Sequence, residues 1–217
     1  EFYGEYDVRY QHERIQQPQI IRMSRVPSIR GEKHLGIALQ ILEDVLGSGS
    51  TTRFYKSLVV EQKLASNAGF NVSNASYNEG QIYVYATPLP GVSLDVLNKA
   101  IVTELQDILR EGVTEEEVQE SKDRMVAQAI FARDSVSGPA RIIGRGLASG
   151  LTLDDIEYWT RDLQEITTAQ VNEAARKYLL PDPSQNLIIT GYMMPKSQPQ
   201  KIEEGAVDTQ GQEAVVE

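Results

Sequence analysis

The stretch KHLGIALQILEDVLGSGSTTRFYKSL, residues 33–58, holds two helical patterns separated by a glycine break. Leu35, Leu39, Leu42 and Leu46 recur at helical spacing, and Ile37, Ile41 and Val45 widen that stripe. This is the period of a helix buried along one broad side. Gly47-Ser48-Gly49-Ser50 ends it. Thr51 or Thr52 then offers a hydroxyl to cap a second helix, which runs through Phe54, Tyr55, Leu58 and Val59 to about Gln62. Beyond it, residues 65–77 and 80–87 read as two strands joined by a turn at Asn78-Glu79. Ile82, Val84 and Ala86 share one face of the second strand while Tyr83 and Tyr85 share the other, as in an antiparallel hairpin.

Pro88 and Pro90-Gly91 close the hairpin. Leu94, Leu97, Ile101, Leu105 and Ile108 then form an amphipathic helix stopped by Gly112. Thr114-Glu115-Glu116-Glu117 is a capping-box signature that starts another, carrying Val118, Met125 and Ala129 on one face and ending near Asp134. Helical patterns follow at 136–148, 153–164 and 169–179. Pro181 and Pro183 close the block before a buried strand at 187–190. On the amino-terminal side, residues 19–26 read as a strand. Residues 1–18 are polar and mixed, and are expected to be a connector from an upstream domain. Residues 195–217 are expected to be a polar acidic tail. The expected fold class is therefore α+β: one domain over residues 19–194, a mainly antiparallel sheet with helices packed on one face.

Composition narrows function by exclusion. The chain has 217 residues, 41% hydrophobic and 24% charged, an ordinary globular balance. Its net charge of −10 speaks against nucleic acid or an anionic membrane as partner, since both recruit basic surfaces. No apolar run is long enough to insert into a membrane. With no cysteine there is no disulfide, thiolate zinc site or cysteine nucleophile.

His12 and His34 are the only histidines, and neither sits in HExxH or HxxEH, so a self-contained zinc site is not expected. A Ser-His-Asp triad would need one of the same two residues, and no GxSxG elbow is present. The glycine break lacks the GK[ST] of a phosphate loop, and a helix break that needs permissive backbone explains it better. The acid pairs Glu43-Asp44, Asp154-Asp155 and Glu203-Glu204 read as solvated faces or tail. Tyr83 and Tyr85 could stack on a ligand, but packing under a helix is the expected reading. No catalytic residue emerges from the residues alone.

The run from Leu42 to Leu58, followed by Glu61-Gln62-Lys63-Leu64-Ala65, resembles the pitrilysin (insulinase-like) zinc peptidase family. More narrowly, it resembles the second, zinc-free domain of a catalytic subunit. Gly112-Val113-Thr114-Glu115-Glu116-Glu117, the block from Asp134 to Gly150, Trp159 and the helix entry Ile166-Thr167-Thr168-Ala169-Gln170-Val171 extend the likeness over roughly residues 19–194.

What the resemblance implies is a zinc metalloendopeptidase of four related domains, in two halves that close around a peptide. The zinc ligands would come from HxxEH plus a later Glu on the domain before this one, with the Glu of HxxEH as general base. This chain is then expected to hold no cofactor and to be inactive alone. Its partners would be the upstream zinc-bearing domain, a partner half of the same fold, and a peptide substrate. The last domain of the partner half often carries an Arg and a Tyr seven residues apart that bind the substrate carbonyl. Here Val59 and Ser66 stand at those places, which aligns this chain with the zinc-bearing half. The substrate-chamber candidates are Gly47, Ser48, Gly49, Ser50, Val59 and Ser66. Two alternatives remain open. One is a structural subunit of the same fold without peptidase activity, like the core proteins of the respiratory ubiquinol–cytochrome c reductase. The other is a ligand-binding module around the glycine break and Tyr83/Tyr85. A soluble bacterial, periplasmic location is expected from typical relatives.

Overall fold

Five segments of extended chain hydrogen-bond in the order β1-β5-β2-β4-β3 in the structure, a computed structural model that describes residues 3–47, 49, 52–134 and 136–196. In chain order the elements are β1 (Gly4–His12), β2 (Gln19–Pro27), α1 (Lys33–Gly47) and α2 (Arg53–Tyr55), which runs on as a π-helical turn at Lys56–Glu61. Next come β3 (Ala65–Ser73), β4 (Glu79–Pro88), α3 (Leu94–Glu111), α4 (Glu115–Asp134) and α5 (Gly138–Ala148). The last elements are α6 (Leu153–Glu157), α7 (Trp159–Glu165), α8 (Thr168–Tyr178) and β5 (Leu187–Pro195). β5–β2, β2–β4 and β4–β3 are antiparallel and β1–β5 is parallel, so the α+β, mainly antiparallel expectation holds.

The pleat decides which side is dry. Ile20 pairs with Ala86, and Phe70 pairs with Val84, so these side chains share the face on which α1, α3 and α8 lie. Leu39, Leu42 and Leu46 of α1 are fully buried there, as are Leu97 and Ile101 of α3 and Val171 of α8. Phe54 stacks on Phe70, 6.2 Å between ring centres, and so brings the start of α2 into the same core. Local signals set the helix ends. Ser93 accepts the Val96 N–H, and Thr152/Asp155 and Thr167/Gln170 form complete capping boxes. Gly112 ends α3 at φ 76°, a conformation that favours glycine. α4 is pinned by Lys122, whose buried ammonium donates to the carbonyls of Gln164 and Ile166 at the carboxyl-terminal end of α7. Burial pulls that lysine below its usual pKa.

Three expectations are corrected. Residues 4–12, assigned to a connector, form the outermost strand of the sheet, because β5 supplies the hydrogen-bonding partner that their polar sequence does not announce. β5 runs on to Pro195 and takes that residue out of the expected tail. Residues 197–217 lie outside the described residues. The helix expected at 153–164 is two helices, meeting at Tyr158.

Candidate functional site

The glycine break is where α1 meets the edge of the sheet. A Cβ on Gly47 would lie 2.0 Å from the backbone oxygen of Phe70 and 2.5 Å from its nitrogen, so only glycine lets the end of α1 touch β3. Gly49 has φ 140° and open space where its side chain would be. Ser48, Ser50 and Thr51 lie outside the described residues. Thr52 does occupy the N-cap position of α2, but its hydroxyl donates backward to the Gly49 carbonyl at 2.8 Å and caps no helical N–H. Arg53 makes a two-pronged ion pair with Glu117, Nε to Oε1 at 2.8 Å and Nη2 to Oε2 at 2.7 Å. Glu117 is also the acid of the capping box with Thr114, so one carboxylate ties α2 to the start of α4. Burial pushes that carboxyl up, but the hydrogen bonds from Arg53 and Thr114 outweigh it and leave the pKa lowered.

Val59 is half-buried in the π-helical turn and packs on the core. Ser66 is exposed at the irregularity between Ala65 and Asn67, where β3 slips its register against β4, and its hydroxyl donates to the Thr87 carbonyl at 3.3 Å. Gly47, Gly49, Val59 and Ser66 therefore lie along the chain that leads from the end of α1 to the start of β3. None of their side chains supplies a charge.

The acids that matter here escaped the sequence reading, and the solvated-face expectation for Glu43-Asp44 is overturned. Asp44 is buried and bound by Arg124 through Nε at 3.1 Å and Nη2 at 2.7 Å. Glu43 lies against β3, accepting Asn71 Nδ2 at 2.6 Å and the Val72 N–H. Burial drives its carboxyl up to about 7, against the Val72 hydrogen bond and aided by the Asp44 charge. The signal was present in the spacing. Gly36, Gln40, Glu43 and Gly47 form one helical stripe, and its two glycines mark a close approach of backbone. Asp155 is likewise not simply solvated. Lys33, then Thr152, hold it at about 2, and the same lysine reaches Asp162 at 2.6 Å.

Tyr83 and Tyr85 do not pack under a helix. They pair with Met23 and Ile21 on the face opposite the helices, and the Tyr85 ring lies across Gly69 of β3. That face continues through Ile189 and Met193 to Tyr6, Val8 and Tyr10, each at least half exposed. A second apolar surface is formed by the end of α4 and by α5. Phe131 is 74% exposed and Ile130, Val136, Ile143, Leu147 and Leu153 are also exposed. Beside it a groove of about 510 Å³ runs between Gln40, Arg133, Arg145, Ile156 and Trp159. α5 approaches α6 closely because Gly146 carries no Cβ to strike Ile156, yet it places little of its apolar side in the core.

Among the described residues, no group of three or more His, Asp or Glu could hold a metal ion. The donor set of the described residues therefore does not fit a zinc site. No helix among the described residues is long and apolar enough to cross a membrane.

Residues 1–125 match the family described as the peptidase M16 inactive domain. An uncharacterized zinc protease of Mycobacterium tuberculosis is 26% identical over 150 residues, 69% of this chain and 34% of that protein. The chain thus spans about a third of the length of the curated relatives it matches. Among solved structures, a protease from Helicobacter pylori superposes with a TM-score of 0.76 at 20% identity, over 87% of this chain and 44% of that one. The periplasmic protease PqqL from Escherichia coli gives 0.65 at 21% identity, over 89% and 21%.

Proposed function

The chain belongs to the peptidase M16 family as its inactive domain, and from that premise we propose that it forms part of the peptide-binding chamber of a zinc metalloendopeptidase whose zinc and general base sit on a preceding domain. The pitrilysin-type assignment made from the sequence is the one this family match supports. The observation that carries the chamber reading is the pair of open apolar surfaces. A helix face with Phe131, Ile142, Ile143 and Leu147 turned outward needs another body to cover it. The half-buried tyrosines of the open sheet face offer the mixed apolar and polar lining that a passing peptide would meet. On this reading the upstream zinc domain docks on the α4–α5 surface, and a partner half of the same fold closes the chamber. Gly47, Gly49, Val59 and Ser66 form a neutral wall that positions peptide without touching the reacting bond; Ser48 and Ser50, the other two candidates, lie outside the described residues. A periplasmic location fits the E. coli protein of the same fold.

The test compares zinc content and cleavage of an unstructured peptide by this chain, and by the same chain carrying its natural preceding domain. The extended form is expected to bind zinc and cut, and the chain alone to do neither. Zinc-dependent cleavage by the chain alone would overturn the assignment. An extended form that neither binds zinc nor cuts would leave the structural-subunit reading in its place.

A further inference from the structure

Among the described residues, β1 is an edge strand with no partner on its outer side. Gly4 donates to the Asn186 carbonyl, and the His12 carbonyl accepts from Lys196, so the even-numbered residues of β1 turn their backbone groups toward β5. Glu5, Asp7, Arg9 and Gln11 therefore point their N–H and C=O groups outward. Among the described residues no strand pairs with them. Natural edges are blunted by charged side chains, proline or a bulge. The strand GEYDVRYQH has neither proline nor a bulge, its charges Glu5, Asp7 and Arg9 are of both signs, and its residues 5–11 are all exposed.

We infer that this edge pairs with the same edge of a second copy of the chain, antiparallel about a two-fold axis through Val8, joining two sheets into one. The sequence of β1 is self-complementary in that register. Asp7 falls opposite Arg9 of the second copy and Arg9 opposite its Asp7, while Glu5 faces Gln11. These are the outward-pointing residues, so the pairs exchange backbone hydrogen bonds as an antiparallel ladder requires. Between them Val8 meets Val8 and Tyr6 meets Tyr10, which sets apolar and aromatic side chains together on the open sheet face. All nine residues of the strand overlap. Sliding by two residues in one direction sets Asp7 against Asp7, and in the other Arg9 against Arg9. The two-fold also places the helices of both copies on the same side of the joined sheet, leaving their open faces contiguous. The pairing needs neither zinc nor peptide.

The experiment is sedimentation and light scattering of the full chain over a dilution series. A species of twice the 24.2 kDa chain mass, dissociating on dilution, is expected. Asp7→Arg or Arg9→Asp alone replaces two attractive pairs by two repulsive ones, and each is expected to weaken the dimer about tenfold or more. The double exchange Asp7→Arg/Arg9→Asp restores it. Arg9 also pairs with Asp95 and lies over Tyr192, so Asp7→Pro carries the test if Arg9→Asp unfolds. That proline removes an outward N–H that β5 does not use, and should abolish the dimer while the chain stays folded by circular dichroism. A chain that is monomeric at about 100 µM overturns the inference. So does a dimer indifferent to Asp7→Pro, or a double exchange no tighter than the singles. A monomer that becomes dimeric when residues 197–217 are removed assigns the edge to that segment instead, and equally overturns it.

Discussion

The two edges of the sheet are treated in opposite ways. At β3, helix α1 is laid along the strand and its glycine-rich stripe seals it. Gly47 meets the Phe70 backbone, and Glu43 accepts from Asn71 and from the Val72 N–H. Asn74 donates to the Gly36 carbonyl while its own carbonyl accepts the Ile29 N–H. At β1 nothing comparable covers the outward groups among the described residues. Sealing an edge from within the chain takes small residues for closeness and polar residues for the unpaired backbone, both on one helical stripe. An edge without that stripe is left to a partner.

The most damaging way to break this contrast is Gly47→Ala. Its new methyl would strike backbone that cannot rotate away, and should cost about 4 kcal/mol and lower the melting temperature by roughly 10 °C. An unchanged melt would mean that α1 does not rest on β3. Glu43 comes next. Its carboxyl is protonated more readily in the folded chain than in the unfolded chain, so the native state holds more protons between about pH 4.5 and 7. Stability should therefore fall by about 3 kcal/mol as pH rises through that window and level off above it. Glu43→Gln should flatten that slope in denaturant titrations at several pH values. A slope identical to that of the unmodified chain would show that another group is responsible.

Thr114→Ala tests the brace behind the sealed edge, since the Thr114–Glu117 box also anchors Arg53 in the segment joining α1 to β3. A loss of about 1 kcal/mol in the denaturation midpoint is expected. The smallest effect belongs to the open edge. Asp7→Pro, measured in dilute monomer, should lower stability by less than about 1 kcal/mol, because that N–H bonds nothing among the described residues and only the exposed carboxylate's contact with Tyr192 is lost. A large loss would place Asp7, not Val8, among the residues that face β5.

Much of this molecule is legible in one dimension. The leucine stripe of residues 35–46, the Ile82/Val84/Ala86 alternation and the Thr114 box are local periodicities, and each became the element it announced. A pattern of three or four residues states which side of an element avoids water, and that suffices for fold class. The carboxylates escaped for the same reason. Glu43 and Asp44 look like any adjacent acids on a helix, and only the arrival of β3 on one side and Arg124 on the other turns them into buried, partnered groups.

The sequence by itself determined most of the helices and four of the five strands, several of the caps and breaks that bound them, and that neither HExxH nor HxxEH is present. The tertiary structure decided that residues 4–12 are a strand, that Tyr83 and Tyr85 face away from the helices, and that one sheet edge is closed and the other open. Helix and strand periods are written into neighbouring residues. Strand order and the side of a sheet that helices cover depend instead on segments far apart in the chain, such as β1 and β5, whose pairing no local pattern encodes.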